Sequence, residues 1–217
     1  MDISSLLAPF LPAPGLSPAQ LEQVQVYLDL LLRWNQKINL TSVRKPEDIV
    51  TRHFGESFFL ASWLRQMGVV NAAANDSGTR FIDLGSGAGF PGIPLKIYEP
   101  QFHGTLIESQ NKKATFLKEV IRALKLNGID VFNDRAEQWF QNSEARANLV
   151  TLRAVERFEQ ILPVAARLIG SKGSLVLLIG STQAETAHNL LHSFTWEAPR
   201  PVPLSHSRVL LIGRLRE

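Results

Sequence analysis

The densest chemical signal in the chain is the run Asp83-Leu84-Gly85-Ser86-Gly87-Ala88-Gly89-Phe90-Pro91-Gly92. It follows the apolar stretch beginning at Arg80 and leads into a helix-compatible segment, the setting a nucleotide-binding loop requires. Gly85 and Gly87 let the backbone turn sharply and approach a ligand with no Cβ in the way. Ligands of such sheets sit at the carboxyl ends of the strands, so the polar residues found there become candidates. Glu108 closes the next apolar stretch, at the spacing of a carboxylate that accepts both hydroxyls of a ribose. Asp134-Arg135-Ala136-Glu137 follows the third stretch, where an adenine edge would be read, and Arg153 follows the fourth, beside the expected reaction centre.

Two cofactors suit this loop. Gly87 to Gly92 satisfies the GxGxxG pattern of nicotinamide dinucleotides. Against that, Asp83 places an anion just before the loop, which suits the cationic aminoacyl-sulfonium end of S-adenosylmethionine (SAM) better than a pyrophosphate. Pro91 and Pro94 also remove backbone donors where a pyrophosphate would want them. The balance favours SAM. A Walker-type phosphate loop is excluded, because no Gly-Lys-Ser/Thr follows. Two structural alternatives stay open: Asp83 capping the loop through backbone amides, and Arg153 in an ion pair with a carboxylate such as Glu156.

Composition narrows the chemistry. The chain contains no cysteine, which excludes disulfides, zinc–thiolate sites and thiolate nucleophiles, and with them the covalent route to pyrimidine carbon-5 methylation. No cluster suggests a metal. The net charge of +3 and a pI near 9.4 permit contact with nucleic acid without requiring it. No apolar run approaches the roughly 20 residues of a membrane span, and the Pro-broken start lacks a basic leader, so the expected compartment is the cytoplasm, with no membrane partner.

The elements that must position these residues alternate. Ser17-Pro18 reads as a helix start, with apolar residues at helical spacing to about Asn39, and a second helix begins at Lys45-Pro46-Glu47-Asp48. Residues 1–15 read as a loosely tied leader, and Asn71 to Thr79 as a linker. Strands follow from Arg80, from Gly104, over Asp130–Asn133, from Asn148 and over Ser174–Ile179. They are separated by helices over Asn111–Leu126, Phe158–Ile169 and Thr182–His192. Trp196–Leu204 and Arg208–Leu215 read as a terminal antiparallel pair. Alternating strands and helices imply a mostly parallel α/β sheet covered on both faces, with residues 1–75 as a helical extension packed on a domain of residues 76–217.

Trp34-Asn35-Gln36-Lys37-Ile38-Asn39-Leu40-Thr41, then Arg52-His53 and Glu56-Ser57, then IDLGSGAGFPGIPLKI, resemble the bacterial glucose-inhibited division protein B family. Asn111-Lys112-Lys113, Phe116-Leu117, Arg135-Ala136-Glu137 and Arg153-Ala154 extend the resemblance, which covers about Leu21 to Leu215. It implies a class I, Rossmann-like SAM-dependent fold, methylation of nitrogen-7 of a guanine in 16S ribosomal RNA, and a SAM site lined by Gly85, Phe90, Ala136, Glu137 and Arg153, to which Asp83, Gly87 and Glu108 are added on physical grounds. No catalytic residue stands out beyond Arg153. That is consistent with nitrogen-7, whose lone pair needs no general base. The substrate would be 16S rRNA or the 30S subunit, gripped by Arg33, Lys37, Arg44, Arg52 and His53, by an enzyme expected to be monomeric. The chain departs from the family at Glu56, where an Asp is usual; at Ile179-Gly180, where Lys-Gly is common; and at Ser205-His206-Ser207-Arg208, which keeps only the Arg. Two rivals remain at this level: a nicotinamide-dependent oxidoreductase, for which no Tyr-x-x-x-Lys pair is present, and a non-catalytic RNA-binding module for ribosome assembly, kept open by Ile179.

Overall fold

The computed structural model describes residues 1–68, 78–142, 146–155 and 157–216. The chain begins with α1 (Ile3–Leu7), a 3-10 turn (Ala8–Phe10) and α2 (Pro18–Asn35). Ser17 and Gln20 close a reciprocal capping box around the start of α2, with Pro18 at its first position, satisfying donors the helix itself cannot. Then α3 (Pro46–Ile49), a π-helical turn (Val50–Gly55) and α4 (Glu56–Gln66) form one continuous helical run.

The sheet domain follows as β1 (Arg80–Leu84), α5 (Gly92–Tyr98), β2 (His103–Ile107), α6 (Asn111–Ala123), β3 (Ile129–Phe132), α7 (Ala136–Asn142), β4 (Ala147–Arg153), α8 (Phe158–Arg167), β5 (Ile169–Gly180), α9 (Gln183–Leu190), β6 (Phe194–Trp196), β7 (Arg200–Pro201) and β8 (Arg208–Leu215). The strands run in the order β3-β2-β1-β4-β5-β8-β6, with β7 also on β8. The first five are parallel, and β8 lies antiparallel to β5, β6 and β7.

Strand side chains alternate between two cores, as the pleat dictates. Phe81, Leu149, Val176, Leu178 and Leu210 face a cluster that contains α5, α6 and all the N-terminal helices. Ile82, Leu84, Val150, Leu152, Leu175 and Leu177 face a second cluster under α8 and α9. The N-terminal helices therefore form one of the two layers that cover the sheet.

Several boundaries differ from those read in the sequence. Residues 1–15 are tied down: Ile3, Leu7 and Phe10 are buried in the first core. The Phe10 ring lies so close to Gly55 that a Cβ there would fall 2.6 Å from it. The first helix stops at Asn35, four residues early, because the Asn35 side chain closes the next turn. Its Oδ1 accepts from the Leu40 and Thr41 amides at 2.9 and 3.0 Å, and its Nδ2 donates to the Thr41 carbonyl at 3.0 Å. The expected strand over Trp196–Leu204 is two short pieces, since Pro199, Pro201 and Pro203 lack ladder donors, and β8 enters between β5 and β6 instead of closing a simple hairpin. Most of the expected linker, residues 71–77, lies outside the described residues.

The buried N-terminus has a measurable consequence. Phe10→Ala should lower unfolding free energy by roughly 3–5 kcal/mol, the usual cost of emptying a buried aromatic site. Urea denaturation of the two proteins checks this, and a change under about 1 kcal/mol would show that the segment contributes little packing.

Candidate functional site

The carboxyl ends of β1, β2 and β4 meet at the glycine loop. Parallel register sets Asp83 beside Leu106 on one side and Thr151 on the other. The Asp83 carboxylate, 1% exposed, accepts from the Thr151 hydroxyl at 2.7 Å and the Gly92 amide at 3.3 Å. It is turned inward and organises the start of α5. Burial pushes its pKa up to about 6, against the lowering effect of its hydrogen bonds and of Arg153.

Glu108 bridges the loop from the next strand. One carboxylate oxygen accepts from the Gly87 amide and the other from the Gln110 amide, each at 2.8 Å. Each oxygen retains a second lone pair. Asn133 Nδ2 donates to the Glu108 carbonyl at 3.0 Å, fixing the turn between β2 and α6 against the end of β3. Gly85 and Gly87 have φ of +71° and +57°, conformations that favour glycine. A Cβ on Gly87 would meet nothing nearer than 3.8 Å, and one on Gly85 only Val155 at 3.0 Å. The loop therefore keeps open space above Gly87, flanked by the Glu108 carboxylate and backed by that of Asp83.

The other flank of the loop is aromatic. Phe90 stacks on Tyr27 of α2 at 5.2 Å between centroids, meets Phe54 edge-on at 5.0 Å and lies 5.1 Å from the His53 ring. The Tyr27 hydroxyl donates to the Ala88 carbonyl. The N-terminal helices thus hold the loop by one hydrogen bond and one aromatic cluster.

Arg153, 9% exposed at the end of β4, reaches back into the same layer. Its Nη2 lies 2.6 Å from the Arg52 carbonyl, 2.8 Å from His53 Nδ1 and 3.0 Å from Glu56 Oε2. The π-helical turn makes the first contact possible. In an α-helix the Glu56 amide would occupy the Arg52 carbonyl; here it bonds to Thr51 and His53 instead. Because a guanidinium only donates, His53 Nδ1 accepts and Nε2 carries the proton, which points to Thr41 Oγ1 at 2.7 Å. Burial and the neighbouring cations Arg153, Arg52 and Arg208 lower the His53 pKa to about 3, so the ring is neutral. Burial raises Glu56 and lowers Arg153, to about 10, while each favours the charged form of the other. Arg208 approaches the second Glu56 oxygen at 3.6 Å.

The expected residues thus fall into distinct groups. Asp83, Gly85, Gly87 and Glu108 converge on the loop. Ala136 is buried and Glu137 exposed in the first turn of α7, beyond β3. Phe90 and Arg153 face the N-terminal layer, and the acid partner of Arg153 is Glu56, while Glu156 lies outside the described residues. The basic N-terminal residues are divided. Arg33 and Lys37 border a depression with Trp34 and Glu119, Arg44 bonds to Asn35 and Asn39, Arg52 is exposed, and His53 is engaged by Thr41 and Arg153. Ile179 is 2% exposed in the second core, so its apolar side chain is packed. Tyr27 and Thr151 were not singled out in the sequence. Thr151, a hydroxyl within the apolar run Leu149–Leu152, was a signal that could have been used.

A mostly parallel sheet with a glycine loop after β1 and an acid after β2 is the architecture of a class I SAM-dependent methyltransferase. The ribosomal protein L11 methylase of Lactobacillus delbrueckii subsp. bulgaricus shares the fold, with a TM-score of 0.57 at 12% identity over 75% of this chain and 80% of that one. The family described as rRNA small subunit methyltransferase G (GidB) matches residues 20–207, and the chain belongs to that family. Two relatives bearing the name ribosomal RNA small subunit methyltransferase G are similar over most of its length. One, from Bacillus pumilus, is 38% identical over 172 residues, 78% of this chain and 68% of that protein. The other, from Bacillus subtilis, is 37% identical over 173 residues, 79% and 69% respectively.

Two outcomes follow from the buried charges. Glu56→Gln should destabilise the protein by roughly 3–5 kcal/mol, because it leaves the Arg153 charge without its buried counter-ion; thermal unfolding reads this, and an unchanged Tm would mean that His53 and the Arg52 carbonyl suffice. For Asp83, the folded protein holds its proton more tightly than the unfolded chain, so this group's contribution to stability falls as pH rises from 3.8 to about 6. Asp83→Asn should remove a decline of about 3 kcal/mol over that window, seen as a relative gain in urea midpoint at pH 7 over pH 4. His53 is common to both proteins and cancels. Parallel pH profiles would refute the assignment.

Proposed function

We propose that the chain transfers the methyl group of SAM to nitrogen-7 of a guanine in 16S rRNA, within a methyltransferase domain of residues 76–217 carrying residues 1–75 as a packed helical extension. The observation that supports this best is the open glycine loop between Asp83 and Glu108. The residues present fit the cofactor: the space over Gly85 and Gly87 is one that side chains would intrude upon, and Glu108 has free lone pairs for a vicinal diol. In this reading the loop backbone at Gly85 and Gly87 seats the cofactor, Glu108 holds its ribose, and Ala136 and Glu137 border its adenine. Asp83 supplies a negative field beneath the loop. Phe90 and Arg153 act from behind, by fixing the loop and the end of β4 to the N-terminal helices.

When bound, SAM supplies an electrophilic methyl on a sulfonium centre. The guanine nitrogen brings an in-plane lone pair and no proton, so the chain's residues have no proton to remove. Their task is to orient the base in line with the methyl and exclude water, an entropic contribution. The purine gains positive charge as the bond forms, and the carboxylates of Asp83 and Glu108 favour that change. The substrate class is ribosomal RNA, taken as 16S rRNA or the 30S subunit, acted on by a monomeric enzyme in the cytoplasm. Among the described residues no helix is long and apolar enough to cross a membrane.

Calorimetric titration with SAM, using NAD as the control ligand, tests the cofactor assignment. SAM should bind in the micromolar range or tighter and NAD should not. Gly85→Val, which forces a β-branched side chain onto a φ of +71° and against Val155, should weaken SAM binding at least tenfold. NAD binding without SAM binding, or a Gly85→Val protein of unchanged SAM affinity, would overturn the reading.

A further inference from the structure

The N-terminal helices do not carry the only basic surface. Helix α6 begins three residues after Glu108 and runs away from the glycine loop along the outside of the sheet. Residues 111, 115, 118 and 122 of α6 fall on one solvent-facing stripe, since steps of three and four keep to one side of a helix, and Lys125 follows two residues past the helix end. They are Asn111, Thr115, Lys118, Arg122 and Lys125, all exposed. The helical part of the stripe is about 17 Å long at the rise of an α-helix. No described carboxylate lies within ion-pair distance of Lys118, Arg122 or Lys125, in contrast to Arg65, Arg153, Arg208 and Arg214. The acid of α6 nearest to Lys118 and Arg122, Glu119, is engaged by Trp34 Nε1 at 3.1 Å.

The three cations line a groove of about 410 Å³ together with Ile121, Leu126 and Asn127 and with Ile129, Asp130 and Val131 of β3. Asp130 is the one carboxylate lining it, against three cations. Among the described residues β3 is the terminal strand of the sheet, paired with β2, so its outer edge leaves backbone donors and acceptors unpaired.

We infer that this groove, at the amino end of β3 and about one helix length from the cofactor loop, is a second RNA-binding surface, separate from the basic residues of the N-terminal helices, which grips the sugar–phosphate backbone of the substrate. The inference rests on the rRNA reading of the site. Charge complementarity commits it to a polyanion: an uncompensated row of cations, at intervals of one helical turn, meets repeating phosphates. Such contacts position the substrate without reading its sequence, which leaves recognition of the guanine to the reaction site.

The test is the variant Lys118→Ala/Arg122→Ala/Lys125→Gly. Lys125 has a φ of +52°, where glycine is at ease, and all three side chains are exposed, so the fold should survive; circular dichroism and SAM calorimetry verify this. Binding of protein-free 16S rRNA is then measured against salt, together with methylation of 30S subunits. The slope of log affinity against log salt should become shallower by about 2, the loss of three phosphate contacts. KM for the subunit should rise on the order of tenfold while kcat and SAM affinity stay unchanged. A variant indistinguishable from wild type in both assays overturns the groove alone. A loss confined to 30S subunits, with naked rRNA bound normally, assigns the groove to a ribosomal protein and also overturns the inference. If the wild-type protein binds SAM but neither binds nor methylates rRNA, the functional reading itself falls, and the groove with it.

Discussion

The arrangement depends on one buried cation. Arg153 emerges from the end of β4 almost fully buried, and an isolated charge there would be prohibitively unfavourable. It is retained because the N-terminal layer brings it a carboxylate, an imidazole nitrogen and a main-chain carbonyl. The converse also holds: Glu56 is 3% exposed and depends on Arg153 and Arg208 for compensation. Neither half can bury its charge without the other. The shared hydrophobic cluster then has a fixed partner geometry as well as a driving force, since apolar burial is non-directional and an ion pair with hydrogen bonds is not. The π-helical turn follows from this demand, because it frees the Arg52 carbonyl for the guanidinium. Asn35, Thr41 and His53 continue the network to the end of α2, which gives a physical reason for the polar residues between Trp34 and His53.

That network bears on the cofactor loop through Phe90. The ring is fixed between Tyr27, Phe54 and His53, and the Tyr27 hydroxyl holds the adjacent Ala88 carbonyl. On the opposite side Glu108 holds the Gly87 amide. A loop of small residues has little packing of its own, so its shape is imposed from both flanks. The proposed division of labour is accordingly one of support: Asp83 and Glu108 each spend hydrogen bonds on the loop backbone and keep their remaining charge and lone pairs for the ligand. For alkylation of an unprotonated ring nitrogen, holding groups still is the main contribution a protein can make.

What could be read in the sequence was local. The glycine run after an apolar strand, the acid one strand later and the alternation of strand and helix each lie within a short window, and each appears in the fold. The pairing of Arg153 with Glu56 spans 97 residues. In the sequence Glu56 is an acid on a helix, indistinguishable from one in solvent, and Arg153 had a nearer acid in Glu156 to compete for it. The leader was misjudged for a related reason: Leu7 and Phe10 lie among prolines, a composition typical of loose segments, and only the Gly55 surface they cover explains their burial. The early end of the first helix was hidden because apolar spacing continues through Ile38, while the Asn35 side chain redirects the backbone. The break in the strand before β8 was missed as well, although the absent donors at Pro199, Pro201 and Pro203 carried the signal.

The same logic separates two kinds of basic residue that composition counts alike. Arg153 and Arg208 are consumed in holding the layers together, and His53, neutral in its Thr41–Arg153 bracket, has no charge to offer a phosphate. Subtracting them moves the free positive charge outward, to Arg33 on α2 and Lys37 just past it, and to Lys118 and Arg122 on α6 with Lys125 just past that helix. A modest net charge of +3 therefore understates the local field, because acids such as Glu56 and Glu119 are committed to internal partners while these cations are not. Steering of a polyanion depends on how charge is distributed over the surface, not on the sum. Both exposed groups flank the layer formed by α2 and α6, and α6 starts beside Glu108, so the helix that begins at the cofactor loop also carries positive charge away from it.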